Sequence, residues 1–155
     1  MNIRVAIPAD IPQIVALVNL VFGRAEAFLV CGDRTNAPDI AARLQTGMFL
    51  LAEEAGTIVG CVYLEFRGER AYFGLLSVDP ARQGQGIART LVDEVERRAR
   101  DAGSRIMDIL TVNVRTELIP MYLRMGYAES GTEPFPANVP TKMPCHFVRM
   151  SKNLA

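Results

Sequence analysis

One stretch of the chain decides the expected fold, residues 75–88: Leu75-Leu76-Ser77-Val78-Asp79-Pro80-Ala81-Arg82-Gln83-Gly84-Gln85-Gly86-Ile87-Ala88. Its first residues end a predicted strand, Pro80 stops that strand, and two glycines lead into a predicted helix at Ile87. Glycines let backbone N–H groups converge, and the N-terminus of a helix carries partial positive charge. The stretch therefore predicts a site for an anion of the size of a phosphate group.

Other loops share parts of this pattern. On these residues alone, an ordinary tight turn between a strand and a helix fits equally well. The Walker phosphate loop is excluded, because no Gly-Lys-Ser or Gly-Lys-Thr occurs in the sequence. A Rossmann fingerprint would need a third glycine where Arg89 stands, and its acidic ribose partner could only be Asp108, within a predicted strand. Nucleotide binding is therefore the weaker interpretation.

Charged side chains near the loop support the anion site. Arg82 and Arg89 are the only charged side chains between Pro80 and Leu91, which matches a phosphorylated ligand. Further along the predicted helix, opposite charges recur four residues apart, a spacing typical of a solvated helix face. These pairs are Asp93 with Arg97, Glu94 with Arg98 and Glu96 with Arg100.

Working outward, the periodicity of apolar residues places strands and helices on both sides of the loop. The predicted strands cover residues 2–6, 48–53, 58–67, 70–78, 105–112, a segment from 127 and 146–151, and the predicted helices lie within 11–22, 38–47, 87–102 and 116–126. Strand, helix and strand around residues 70–112 form a right-handed crossover with parallel pairing. We predict a single α/β domain of mixed α+β type over residues 1–155, with a mostly antiparallel sheet of about seven strands and about four helices.

Composition excludes several classes of function. The chain carries 17 basic and 17 acidic side chains, so it lacks the charge of a general nucleic-acid binder. Cys31, Cys61 and Cys145 show no Cys-x-x-Cys spacing, which predicts reduced thiols and argues against a structural metal site. The apolar stretch 11–22 is shorter than the roughly 20 residues of a membrane span. These features predict a cytoplasmic protein without metal, membrane or nucleic-acid partner.

Two blocks of the sequence resemble the GNAT superfamily of N-acetyltransferases. The run Gln83 to Ala88, preceded by Val-Asp-Pro, is similar to the acetyl-CoA pyrophosphate loop of that superfamily. A second block, Leu118, Met121, Tyr122, Gly126 and Tyr127, resembles the helix that carries its general-acid tyrosine. The order of predicted elements also fits the GNAT fold across the whole chain.

The resemblance implies a fold and an activity. Strand four would carry a bulge and splay from strand five, so that backbone groups at Leu76 and Val78 bind the pantetheine arm of acetyl-CoA. The acetyl group would pass directly to a primary amine of a small molecule or a protein, with Tyr122 protonating the leaving thiolate. The expected contacts with acetyl-CoA are Leu76, Ser77, Val78, Arg82, Gln83, Gly84, Gln85, Gly86, Ile87, Ala88, Arg89, Asn113, Arg115 and Tyr122.

The general base is less evident from the sequence. We expect Glu65 on the third strand or Glu117 at the start of the Tyr122 helix, with His146 as a third candidate. Strand 71–78 contains no acid, so the glutamate that some GNAT enzymes place there is missing. The superfamily commonly has Asn where Arg115 stands; Asn113 could substitute, or Arg115 could reach a phosphate of CoA.

An acyl-CoA-binding regulatory module without turnover is the alternative function. Tyr122 favours an enzyme, because a pure binding protein needs no proton donor over the sulfur. The segment 23–36 and the proline-rich loop after residue 133 should flank the acceptor entrance, where charges of neither sign dominate. Strand edges make a homodimer possible.

Overall fold

Seven strands form one sheet in the computed structural model, which describes residues 1–155. The strands are β1 Asn2–Val5, β2 Met48–Glu54, β3 Thr57–Arg67, β4 Arg70–Val78, β5 Ile106–Val112, β6 Ala128–Pro134 and β7 His146–Asn153. The helices are α1 Ile11–Ala25, α2 Ala37–Thr46, α3 Ile87–Asp101 and α4 Leu118–Arg124. Short 3₁₀ turns at Pro8–Asp10 and Pro80–Arg82 precede α1 and the glycine loop.

The strand order is β1-β2-β3-β4-β5-β7-β6, and β4–β5 is the one parallel pair. The predicted mixed sheet and its four helices are therefore confirmed. Most boundaries agree within one or two residues, including β6, which begins at Ala128, but α1 continues to Ala25. The last strand, β7, lies between β5 and β6, which leaves β1 and β6 as the two edges.

The β4–β5 pair opens soon after it begins. Pairing covers only Arg70–Tyr72 on β4. Further along, β4 carries one extra residue relative to β3, because Gly74 faces Tyr63 while Ser77 faces Cys61. At this bulge Leu75 has a φ of 54°, a left-handed conformation that costs a residue with a side chain about 1–3 kcal/mol. A bulge bends its strand, so the expected splay of β4 from β5 is confirmed.

Two apolar layers cover the sheet. On one face, Ile14 of α1 and Ile40 of α2 pack against Phe49 of β2. On the other face, Leu91 and Val95 of α3 pack with residues of β4, β5 and β7. Because β3 lies under both layers, its residues are buried on both faces. Burial of this apolar surface stabilises the sheet at the strand that pairs with β4.

The polar face of α3 differs from the prediction at one residue. Glu96 is buried, and its carboxylate accepts hydrogen bonds from the Tyr127 hydroxyl at 2.8 Å and the Lys152 ammonium at 3.0 Å. The prediction of a solvated face is therefore wrong at Glu96, because this turn of α3 packs over the start of β6 and the end of β7. Of the predicted pairs, Glu94 with Arg98 forms at 3.0 Å and Glu96 with Arg100 at 3.8 Å. The third differs, because Arg97 bonds Glu94 and Asp101, and Asp93 bonds Arg89.

The three cysteines are free thiols, as predicted, and occupy different environments. Cys31 is exposed, Cys145 is half-buried and Cys61 is fully buried in β3. Burial raises the pKa of the Cys61 thiol to about 12, so this group stays protonated and unreactive near neutral pH. No helix of the chain has the length and apolarity needed to cross a membrane.

Removing the ammonium partner of Glu96 should destabilise the protein strongly. We expect Lys152→Met to lower the free energy of unfolding by about 3 kcal/mol, because the buried Glu96 carboxylate would lose its nearest cation and keep only the Tyr127 hydroxyl and the Arg100 guanidinium at 3.8 Å. A second change, Glu96→Gln, should recover part of that loss in the double variant. Urea unfolding measures the free energy of unfolding of the wild type, Lys152→Met and the double variant. Arg97→Met, which breaks only exposed ion pairs of the same helix, is the control and should change stability little. Equal losses for Lys152→Met and Arg97→Met would contradict this account.

Candidate active site

A cavity of about 380 Å³ lies where β4 and β5 diverge. It passes from the α3–α4 face of the sheet to the face covered by α1. Most of its lining is apolar, and a few polar side chains converge in it, which is the usual character of a small-molecule site. The polar lining residues are Glu26, Arg34, Tyr72, Gln83, Thr111, Arg115, Glu117 and Tyr122.

The glycine loop presents free backbone amides beside this cavity. Gly84 and Gly86 have φ values of 82° and 79°, and Gly86 is the residue that caps α3. The consecutive amides of residues 84–89 donate to no acceptor within the protein, whereas the Thr90 amide bonds the Gly86 carbonyl. These amides and the α3 dipole are chemically suited to an anion, and the space around both glycines is open.

The two arginines near the loop are already paired. Arg82 forms an ion pair with Glu54 at the end of β2, and Arg89 pairs with Asp93 one turn along α3. The excess of positive charge predicted from residues 80–91 is therefore compensated by acids from outside the loop or from the next helical turn. The groups of this loop that lack a partner within the protein are therefore its backbone amides.

The diverging edge of β4 offers further backbone groups. The Asp79 amide donates to the Val59 carbonyl of β3 at 2.8 Å. Because bonding directions alternate along an antiparallel strand, the Val78 amide points away from β3, toward the opened side. Leu76 and Val78 line the cavity, whereas Ser77 is buried outside it and donates its hydroxyl to the Leu75 carbonyl. The edge of β4 can therefore accept an extended ligand as an added strand.

Tyr122 faces the cavity from α4. Pro120 lies in the first turn of this helix, and Gly126, with a φ of 96°, follows its end. The Tyr122 ring packs 6.1 Å from the Phe73 ring and 6.0 Å from the Tyr127 ring, and its hydroxyl bonds no protein group. Burial raises the pKa of Tyr122 to about 12, opposed in part by Arg115, so the hydroxyl remains a proton donor at neutral pH.

Three charged groups form a chain in the cavity wall. Arg115 donates to Glu117 at 2.9 Å and to Glu26 at 3.2 Å, and all three side chains line the cavity. Arg115 is therefore held by carboxylates at the α4 side, not at the glycine loop. From the sequence, Glu26 is only one of the charges in the segment 23–36. Its bond with Arg115 was not predicted, because the two residues are 89 positions apart.

Other predicted residues lie outside the cavity lining. Glu65 accepts a hydrogen bond from the Tyr63 hydroxyl at 3.0 Å and forms an ion pair with Arg67. Asn113 accepts from the backbone amide of His146 at 2.8 Å, a bond that ties the start of β7 to the end of β5. Of the three candidate bases, the structure brings only Glu117 to the cavity. No group of three or more His, Cys, Asp or Glu side chains is placed to hold a metal ion.

Tyr72 is a second tyrosine of the cavity that sequence reasoning missed. Its ring packs against Gly74 of the same strand and lines the cavity. A Cβ at residue 74 would overlap the Tyr72 hydroxyl. Burial raises the pKa of Tyr72, and its hydroxyl bonds no protein group. The signal in the sequence was the glycine two residues after an aromatic residue, on the same face of a strand.

The segment 23–36 and the proline-rich loop after residue 133, which we expect to flank the acceptor entrance, contact each other. Val30 and Thr141 form an isolated bridge, and the Lys142 amide donates to the Leu29 carbonyl at 2.7 Å. Between the loops lies a second cavity of about 400 Å³, which shares Phe22, Glu26 and Arg34 with the first. The shared residues make the second cavity a continuation of the first toward solvent.

Comparison with known proteins agrees with this geometry. The sequence profile of the acetyltransferase (GNAT) domain matches residues 30–154. The chain is 32% identical to an acetyltransferase of Yersinia pestis over 85 residues, which are 55% of this chain and 60% of that protein. It is 29% identical to the mycothiol acetyltransferase of Propionibacterium freudenreichii over 91 residues, 56% of this chain and 29% of that protein. The matches thus span 60% and 29% of these two relatives, less than two thirds of each.

Solved structures share the fold. A Salmonella typhimurium protein described as an acetyltransferase, whose structure was solved with its cofactor acetyl-CoA, superposes with a TM-score of 0.76. The two proteins are 22% identical, and the superposition covers 100% of this chain and 94% of the other.

A side chain at Gly86 should abolish binding at the glycine loop. We expect Gly86→Glu to weaken CoA binding at least about 100-fold, because a left-handed position would be strained and a carboxylate would face the free amides. Isothermal titration measures the affinity. Gly103→Glu is a matched control, since Gly103 has a φ of 88°, open space around it and a place at the other end of α3. Unchanged affinity in Gly86→Glu would contradict the site.

Proposed function

Since the chain belongs to the GNAT acetyltransferase family, we propose that it transfers an acetyl group from acetyl-CoA to a primary amine, by direct attack in a ternary complex. One observation carries the proposal: a single cavity connects the free edge of β4 and the Tyr122 hydroxyl, and the free amides of α3 lie at its side. A long thioester ligand and a second small substrate can meet there from opposite faces of the sheet.

The residues around the loop and β4 would hold acetyl-CoA. The amides from Gln83 to Ala88 suit its pyrophosphate, and the edge of β4 at Leu76 and Val78 suits the amide groups of pantetheine. Ala88 and Gln83 line the same end of the cavity. Because Arg82 and Arg89 are paired with acids, their contribution to phosphate binding requires exchange of those partners.

Tyr122 would act as the general acid. The amine nitrogen bonds to the thioester carbon, the carbon–sulfur bond breaks, and the sulfur takes the electron pair and a proton. Burial that raises the pKa of the phenol also raises that of a thiol at the same place, so the two groups remain comparable proton partners. The Val78 amide, which points away from β3, would stabilise the oxyanion.

Glu117 is the carboxylate that we propose for removal of the amine proton, directly or through water. An amine with a pKa of about 10.4 is neutral in roughly one molecule per two thousand at pH 7, so a base assists attack. Glu117 lies at the rim of the cavity, and the buried Glu26 reaches the same arginine from within. Glu65 is bonded outside the cavity lining and makes a natural comparison.

Loss of the Tyr122 hydroxyl should reduce turnover and spare binding. We expect Tyr122→Phe to lower kcat about 100-fold, with the KM for acetyl-CoA nearly unchanged, because a lost general acid acts in the transition state. A thiol-release assay with an amine panel measures both. The pKa of about 12 also predicts that Tyr122 causes no alkaline loss of kcat below about pH 11.

Tyr127→Phe is the matched control. It removes a hydroxyl from the neighbouring ring, which bonds Glu96 and does not line the cavity. This variant should lose stability and keep most of its kcat. Equal kcat in Tyr122→Phe and the wild type would remove Tyr122 from the mechanism. Binding of acetyl-CoA without turnover of any amine by the wild type would favour the regulatory module.

Substitution distinguishes Glu117 from Glu65, because only Glu117 lines the cavity. We expect Glu117→Gln to lower kcat/KM for the amine about tenfold or more near pH 7, with a smaller effect at high pH, where more of the amine is already neutral. Glu65→Gln should leave the pH profile of kcat/KM unchanged. Rate measurements from pH 6 to 10 test this, and a loss confined to Glu65→Gln would reverse the assignment.

A further inference from the structure

The acceptor half of the cavity carries an asymmetric set of charges, and this inference about the acceptor rests on the proposed function. Four charged side chains line the cavity: Glu26, Arg34, Arg115 and Glu117. Three of them are bonded to one another, with Arg115 between the two carboxylates. This chain of Glu26, Arg115 and Glu117 has a net charge of −1, which favours an ammonium group beside it.

Arg34 is the cation that remains. It forms no ion pair or hydrogen bond within the protein, and its guanidinium carbon lies 5.5 Å from the centre of the Phe22 ring. Arg34 lines both cavities, so it lies where the second cavity joins the first. A partly buried guanidinium without a carboxylate partner is suited to bind an anionic group of a ligand.

Two neighbouring arginines, unlike Arg34, are paired with carboxylates. Arg43 is paired with Asp39, and Arg67 is paired with Glu65, although both lie near Tyr72. The Tyr72 hydroxyl, unbonded within the protein, feels the charge of Arg34 as well. Arg34 and Tyr72 together therefore offer a cation and a hydroxyl donor on the α1 side of β4.

Apolar side chains complete this half of the cavity. The Phe22 ring faces the Arg34 guanidinium, and the rings of Phe135 and Phe147, which pack 5.0 Å apart, also line the cavity. Val21 adds an aliphatic surface. These apolar side chains can cover an uncharged part of a ligand, and they offer no hydrogen-bond partner to a long polar chain.

We infer that the acceptor is a free amino acid with an apolar side chain. Arg34 and Tyr72 bind its carboxylate, the phenylalanines cover its side chain, and its amino group lies toward the chain of Glu26, Arg115 and Glu117. The reaction then forms the amide bond of an N-acetyl amino acid, releases CoA as the thiol and frees one proton.

The carboxylate of the acceptor should decide its rate. With acetyl-CoA, L-leucine, L-methionine and L-phenylalanine are compared with 3-methylbutylamine, 3-methylthiopropylamine and phenethylamine, which lack the carboxylate. We expect the best amino acid to exceed its decarboxylated counterpart about 10- to 100-fold in kcat/KM, the range for a hydrogen bond to a charged group. Equal or better use of the amines would overturn the inference, as would a preference for L-leucinamide, which stands for a protein N-terminus.

Removal of the guanidinium should erase this preference. We expect Arg34→Gln to lower kcat/KM for the amino acid about 10- to 100-fold and to leave the decarboxylated amine and the KM for acetyl-CoA unchanged. Arg24→Gln is the matched control, because Arg24 is exposed, near the end of α1, and outside both cavities. An equal fall for both acceptors in Arg34→Gln would show a structural role alone.

Binding separates this inference from the proposed function. Calorimetry with L-leucine in the presence of CoA measures acceptor binding without chemistry. If neither acceptor class releases thiol but L-leucine binds and Arg34→Gln abolishes that binding, the amino-acid site stands and the acetyltransferase proposal fails. If amines are acetylated and L-leucine neither binds nor reacts preferentially, the acetyltransferase proposal stands and the amino-acid site fails.

Discussion

The extra residue in β4 is the constraint on which the rest of the site depends. A regular β4 would continue its parallel pairing with β5 beyond Tyr72, and the two strands would close against each other. The bulge at Leu75 bends β4 away instead, at the cost of a left-handed conformation at a leucine. The opening frees backbone groups along β4 and joins the two faces of the sheet through one cavity.

The two ends of this cavity use different chemistry. At the α3 end, fixed backbone amides and a helix dipole face outward, while the nearby arginines are neutralised by acids. Such a site is preorganised, because no side chain has to be ordered to create it. At the α1 end, side chains from well-separated parts of the chain supply the polar groups.

Tyr122 depends on a buried support. Its ring contacts Tyr127, whose hydroxyl bonds Glu96, and Lys152 compensates that carboxylate. The arrangement ties α3, the start of β6 and β7 together behind α4. A short helix has little stability of its own, so contacts of this kind determine where its tyrosine points.

The sequence by itself determined the elements and the backbone site, because periodicity, glycine and proline act locally. The strands, the helices, the two-glycine loop before α3 and the placement of Tyr122 on a short helix all followed from neighbouring residues and from the family resemblance. Tertiary structure alone decided the partners of side chains. It buried Glu96, paired Arg82 with Glu54, kept Glu65 out of the cavity and brought Glu26 to Arg115. These contacts join residues far apart in sequence, and only the packing of the folded chain sets which of them meet.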